Sequence, residues 1–365
     1  MKANKNIQEL SPYVSIPHKV WDIENKKGVL KLDWNEATIP PSPKVFQAIQ
    51  SFLKDNFLNW YPNTNNISLL ESLAKYCRVS IENIQTFASS DAAHEFILSV
   101  FLENSDKIAI ISPTYDNFRA RAQGIGIKTL PFMLDADFEL NFELLNKFII
   151  TNNIKCVYIC NPNNPTGKAY DKEKLTKLLQ DFEQVLFIID EAYYEFYGTS
   201  MQDLVQQYKN IIITRTFSKA FALAGLRIGY VISHSENILA LNKLRNPKNV
   251  NALAQVAAIA ALNDLEYTQN YINEVKLARK EFITSMDLVM GGGLAHGSVT
   301  NFVLMRNENT TLFVNYLERD GIFIRNYSHI IANHCRISIG TRKQMGLVAQ
   351  KIQEFITQQG GNLPC

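Results

Sequence analysis

Lys219 stands in an unusual setting. It follows the apolar run "NIIIT", sits beside Ser218, and precedes Arg227 by eight residues in the segment Thr216 to Tyr230, "TFSKAFALAGLRIGY". Three other apolar runs end in equally reactive chemistry. "KIAIIS" gives way to Pro113-Thr114-Tyr115, "IKCVYIC" to "NPNNPTG" (Asn161 to Gly167), and "VLFII" to Asp190-Glu191-Ala192-Tyr193. Each motif alone has a plain structural use, as a turn former or a helix cap. Ligands of parallel α/β sheets gather beyond the carboxyl ends of strands, however, so the four together point into one crevice. An amine, a carboxylate at the end of a buried strand, a phenol, an amide and an aromatic ring suit one cofactor. The amine captures an aldehyde, the carboxylate keeps a pyridine nitrogen protonated, the phenol and amide bond a ring oxygen, and the ring stacks. A phosphate would sit at a helix N-terminus with hydroxyls and an arginine. "ASSDAAHEF" offers the helix start, Ser218 a hydroxyl, and Arg227 lies in a glycine-bounded turn. The set describes pyridoxal 5′-phosphate.

The elements that must position these groups are legible around them. The runs starting at Lys107, Ile154, Val185, Asn210 and Ile228 are continuously apolar, as expected of strands covered on both faces. They alternate with helical patterns such as "DAAHEFILSVFLE" and "DKEKLTKLLQDFE". That alternation predicts an α/β fold with a mainly parallel sheet flanked by helices. Past residue 245 a long helical stretch runs to the glycines at Gly291, followed by strand candidates "NFVLM" and "CRISI". The expected organisation is an arm over 1–40, a large domain over 41–245 and a smaller α+β domain over 246–365.

Composition narrows the setting. The 365 residues are 46% hydrophobic and 20% charged, with a net charge of +2, so neither nucleic acid nor an anionic membrane surface is an expected partner. "MKANKNIQELSPYV" lacks the apolar core of a signal peptide, and no window approaches a membrane span. Five scattered cysteines suggest a reducing cytoplasm, with Cys156 and Cys160 as small core groups on one strand face. The histidines show no zinc spacing. His329 and His334 have no evident third ligand, and no metal site is expected.

"NPNNPTG", "DEAYYEF" and "TFSKAFALAGLRIGY" resemble the signature segments of fold-type I aminotransferases, specifically the histidinol-phosphate aminotransferase family. "LSPY", "WYPNTN", "SPTYDNF" and "GIFIR…CRISIGTR" extend the resemblance over nearly the whole chain. It implies that Lys219 forms the Schiff base and moves the substrate α-proton, that Asp190 pairs with the pyridinium nitrogen, and that Asn161 and Tyr193 bond the ring oxygen. Tyr115 would stack on the ring. Ser90, Asp91, Ala92, Ser218 and Arg227 would hold the phosphate, joined by Tyr61 from a neighbouring subunit, so a homodimer with shared active sites is implied. Arg336 matches the arginine for the substrate's anionic end, Arg325 a second one, and Tyr13 a tyrosine that closes over substrate. Asn35 and Glu36 keep part of an early motif, as "DWNEATIPPSP", while its following Asn-Pro is lost. Ala92 in "ASSDAA" replaces a common glutamate. Both departures bear on the shape of the pocket.

Two arginines and a tyrosine suit a substrate phosphate as well as a carboxylate. The expected acceptor has the form R–CO–CH2–OPO3, either imidazole acetol phosphate or dihydroxyacetone phosphate, with L-glutamate as amino donor. Two alternatives use the same residues. One is a decarboxylase of O-phosphothreonine or O-phosphoserine, and the other is a regulator that binds the cofactor without turnover.

Overall fold

The computed structural model describes residues 1–13, 19–55, 58–290 and 297–358. The expected glycine stop at Gly291 and the cysteine at Cys365 lie outside them. Eleven strands occur among the described residues. They are β1 (Leu30–Leu32), β2 (Ile84–Phe87), β3 (Lys107–Ser112), β4 (Lys128–Met133), β5 (Cys156–Cys160), β6 (Leu186–Asp190), β7 (Ile211–Thr216), β8 (Gly229–Ser233), β9 (Phe302–Arg306), β10 (Ile322–Asn326) and β11 (His334–Ser338).

Seven of them form one sheet in the order β2-β8-β7-β6-β5-β3-β4. All neighbours run parallel except β8, which is antiparallel to both β2 and β7. The apolar runs are continuous because successive residues serve opposite cores. In β3, Ala109 and Ile111 join one core while Ile108 and Ile110 join the other. In β5, Val157 and Ile159 face the first core, and Cys156, Tyr158 and Cys160 the second. Helices cover both faces. Ser90–Phe101 packs Ala93, Ile97 and Leu98 on one side, and Lys172–Asp181 packs Leu175, Leu178 and Leu179 on the other. Asp171 caps the second helix, its side chain accepting from the Lys174 amide at 2.8 Å.

The remaining strands form a four-stranded sheet in the order β1-β10-β11-β9. It packs with helices Leu265–Met290 and Arg342–Gln358 around a separate core that includes Phe282, Phe313, Val348 and Phe355. The long helical stretch expected past residue 245 is two helices, Ala252–Leu262 and Leu265–Met290. The first lies beyond the expected boundary at 245, yet Ala254, Ala257, Ala258 and Ala261 sit in the large-sheet core with Val45 and Leu73. Within the expected arm, β1 pairs in parallel with β10, so part of that segment belongs to the small sheet. Among the described residues no helix is long and apolar enough to cross a membrane.

Candidate active site

A cavity of about 340 Å³ lies where β5, β6 and β7 end, roofed by the small sheet and residues 34–36. Lys219, Asp190, Tyr193, Ser90, Asp91, Tyr115, Ser218, Arg227, Asn35, Tyr13, Arg325 and Arg336 all line it, so one crevice collects nearly every residue singled out above.

Asp190 is the last residue of β6 and is 3% exposed. Its Oδ2 accepts from the Tyr158 hydroxyl at 2.8 Å and lies 3.8 Å from His94 Nε2, while Oδ1 accepts from the Ala192 amide at 3.1 Å. Burial raises its pKa; the neighbouring His94 and the Tyr158 hydrogen bond act in the opposite sense. Lys219 Nζ donates to the Trp34 carbonyl at 2.9 Å. Enclosure, with Arg336 adding to it, lowers the lysine pKa to about 8, so a larger share of the amine is neutral and nucleophilic near pH 7.

Tyr193 Oη accepts from Asn35 Nδ2 at 3.0 Å and from Asn164 Nδ2 at 3.2 Å. The amide that faces the cavity is therefore Asn164, which corrects the expectation for Asn161. At the end of β5 the chain turns through "NPNNPTG", and Asn161 Oδ1 is spent on the Tyr170 amide at 2.9 Å, pinning the returning chain. Asn164, three residues on, lines the cavity, and its Oδ1 accepts from Arg336 Nη1 at 2.6 Å. Three asparagines in one motif left the sequence unable to say which faces inward.

Facing Asp190 is an anion cradle. The helix Ser90–Phe101 opens onto the cavity, its start bent by Ser89 at φ 105°. That close approach requires Gly229, since a Cβ there would meet the Ser90 nitrogen at 2.5 Å and the Arg215 carbonyl at 2.8 Å. Ser218 and Arg227 complete the cradle. Arg227 Nη1 lies 3.5 Å from Ser218 Oγ, and Arg227 Nη2 donates to Asp91 Oδ2 at 3.3 Å. Asp91 also accepts from Tyr115 Oη at 3.0 Å and Asn117 Nδ2 at 3.1 Å. Ala92 does not line the cavity; its amide donates to Ser89 Oγ at 3.2 Å. A carboxylate at one end, an amine at the wall and this cradle at the other end fit pyridoxal 5′-phosphate.

At the roof, Arg325 of β10 and Arg336 of β11 are 7% and 5% exposed. Arg336 donates to the Asp33 carbonyl at 2.7 Å and to the Tyr327 hydroxyl at 3.0 Å, and its buried Nε has no hydrogen-bond partner among the described residues. Tyr13 reaches the cavity with its ring 6.0 Å from that of Tyr115, edge to face. Tyr61 does not line the cavity of its own chain. It is 78% exposed, with Lys248 Nζ 4.2 Å above its ring. Tyr158, His94, Asn164, Trp34 and Tyr327 were not anticipated. The first two lie within a strand and a helix whose apolar patterns read simply as core. Among the described residues no group of acidic, histidine and cysteine side chains could hold a metal ion.

The model of the aminotransferase class I and II family matches residues 27–352. The chain is 58% identical, over 99% of both sequences, to a dihydroxyacetone phosphate transaminase of Campylobacter jejuni. It is 32% identical to a histidinol-phosphate aminotransferase of Ruminiclostridium cellulolyticum, over 88% of this chain and 91% of the relative. Among solved structures, histidinol-phosphate aminotransferase of Sinorhizobium meliloti in complex with pyridoxal 5′-phosphate superposes with a TM-score of 0.87 at 27% identity, covering 98% of each chain. The chain belongs to the class I and II aminotransferases.

Proposed function

We propose that this class I and II aminotransferase uses pyridoxal 5′-phosphate to move the amino group of L-glutamate to a phosphorylated ketone, and that the ketone is dihydroxyacetone phosphate. The buried pair Arg325 and Arg336 carries the substrate class, because two guanidinium groups at one cavity wall call for an anionic substrate. The choice of the smaller ketone is supported by the 58% identical transaminase.

When bound, pyridoxal 5′-phosphate supplies a conjugated ring that takes up the electron pair left at the substrate α-carbon. Asp190, kept in place by Tyr158 and the Ala192 amide, would hold the proton on its ring nitrogen. Tyr193 and Asn164 would bond its ring oxygen, and Tyr115 would lie against its ring. The helix start at Ser90 and Asp91, with Ser218 and Arg227, would hold its phosphate. Lys219 Nζ is the amine that would hold the cofactor's aldehyde carbon, and it would carry the proton between the substrate α-carbon and that carbon. Its pKa of about 8 suits it to both halves of that transfer. Arg336 binds the carboxylate of glutamate and, with Arg325, the phosphate of the ketone. Tyr13 closes over the substrate, and Asn35 steadies Tyr193.

We also place Tyr61 at the cofactor phosphate of a second subunit, in a homodimer. Leu58, Trp60 and Tyr61 are 65%, 69% and 78% exposed, an apolar surface that association would cover. A reducing cytoplasm suits the free, buried Cys77, Cys156, Cys160 and Cys335.

Product analysis tests this reading. Incubating the holoenzyme with glutamate and dihydroxyacetone phosphate should yield equal amounts of 2-oxoglutarate and an amino-glycerol phosphate. Release of CO2 from O-phosphothreonine or O-phosphoserine, with no amino transfer, would replace the transaminase by the decarboxylase.

A further inference from the structure

Trp34 is the largest side chain on the cavity wall. It follows β1 and precedes Asn35, whose φ of 57° turns the chain back toward Tyr193. Its carbonyl and its ring serve different partners. The carbonyl receives Lys219 Nζ at 2.9 Å, whereas the ring centroid lies 5.2 Å from Arg325 Cζ. Lys31 Nζ is 5.9 Å from the same ring. A guanidinium within about 6 Å of an indole is held by the ring's negative face, most strongly where water is excluded. Arg325 is 7% exposed, so the indole is one of the groups packed against it.

The indole also limits space. At about 340 Å³ the cavity is near the low end of the roughly 300–1,000 Å³ usual for small-molecule sites, yet it must take cofactor and substrate together. We infer that Trp34 is a positioning and size-setting residue: its indole seats Arg325 for the substrate phosphate and fills the space that a ring-bearing acceptor would need. The inference rests on the dihydroxyacetone phosphate reading given above. Replacing the indole tests the side chain alone, because the Trp34 carbonyl stays available to Lys219.

The test uses the holoenzyme and the variants Trp34→Phe, Trp34→Leu and Trp34→Ala. Binding of glycerol 3-phosphate, an unreactive phosphorylated analogue, is measured by calorimetry. Turnover is measured with dihydroxyacetone phosphate and with imidazole acetol phosphate. Trp34→Leu and Trp34→Ala should weaken glycerol 3-phosphate about tenfold, and Trp34→Phe should restore most of that loss. The KM for dihydroxyacetone phosphate should rise in parallel with little change in kcat. The preference for the smaller ketone should fall most in Trp34→Ala and least in Trp34→Phe, with the cofactor's visible absorption unchanged throughout. Leucine keeps bulk without a π face, so it separates the two roles even if the alanine variant fails to fold.

Unchanged affinity and preference in Trp34→Leu would overturn the role of Trp34, as would equal losses in the phenylalanine and leucine variants. A wild-type enzyme that turns over imidazole acetol phosphate but not dihydroxyacetone phosphate overturns the substrate reading, and the inference with it, whatever the variants do.

Discussion

Arg325 and Arg336 sit directly opposite each other in the antiparallel pairing of β10 with β11. Residues so paired project from the same face of the sheet, and like charges in that relationship repel. Burial adds to the cost and lowers the pKa of Arg325. An anion between or beside them removes the penalty, which is the physical reason to place the substrate's phosphate here.

Arg325→Ala should therefore weaken the phosphorylated ketone far more than glutamate. A hydrogen bond to a charged group contributes about 1.5–3 kcal/mol, so the KM for the ketone should rise roughly 10- to 100-fold. Separate kinetics for the two half-reactions check this. Equal losses for donor and ketone would make Arg325 a structural arginine.

Asn164 and Asn161 should separate cleanly. Asn164→Ala removes the amide beside Tyr193 and should lower kcat and shift the cofactor's visible absorption. Asn161→Ala strands the Tyr170 amide and should lower stability by about 1–3 kcal/mol while leaving the absorption in place. Absorption spectra and denaturant unfolding of both variants decide it, and the reverse pattern would restore Asn161 to the site.

Lys219→Ala should abolish turnover while the cofactor still binds through its phosphate cradle and Asp190. The lysine also predicts a pH effect in the apoenzyme. Its pKa falls on folding from the ordinary 10.5 to about 8. Below about 8 both states carry the proton, and the folded state bears the full cost of the buried charge. Between about 8 and 10.5 only the unfolded chain retains it, so stability rises with pH across that window. Apo Lys219→Met should be more stable than wild type at neutral pH, and the gap should narrow as the pH climbs through the window. A gap independent of pH would mean that the lysine is not perturbed.

The Glu191–Arg215 pair supports the site from beneath. Glu191 Oε2 accepts from Arg215 Nε at 2.9 Å and Nη2 at 2.8 Å, with both side chains 1% exposed. Arg215→Met leaves the buried Glu191 carboxylate without its countercharge, held only by Ser200 Oγ and the Met201 amide. It should cost about 3–5 kcal/mol, measured by chemical denaturation, whereas a loss under 1 kcal/mol would mean water reaches Glu191.

How much could be read without coordinates depended on whether a signal was local. The buried strands β3, β5, β6 and β7 were visible because each is a short apolar run ending in polar chemistry, and those ends are where the cavity forms. β2 and β4 were not anticipated: "IQTF" is too short, and "KTLPFM" carries Pro131 at the sheet edge, where a missing donor is tolerated. β1 escaped notice because three residues have no period; its strand character comes from pairing with β10, nearly 300 residues away. The core that the alanine-rich helix Ala252–Leu262 joins was not legible, because the helix is apolar nearly all round and gives no hint of which core it enters. The same limit applied to the site. Lys219, Asp190 and Arg227 were singled out from strand ends and do line the cavity, but which asparagine faces it and the placing of Trp34 beside Arg325 are fixed by chain direction and tertiary contact.

The central claim is amino transfer between glutamate and a phosphorylated ketone, and the two half-reactions test it most directly. Excess L-glutamate should remove the visible absorption of the holoenzyme. After the glutamate is washed out, dihydroxyacetone phosphate should restore that absorption within the turnover time. Failure of glutamate to remove the band would contradict the donor. Return of the band with imidazole acetol phosphate, but not with dihydroxyacetone phosphate, would contradict the proposed ketone.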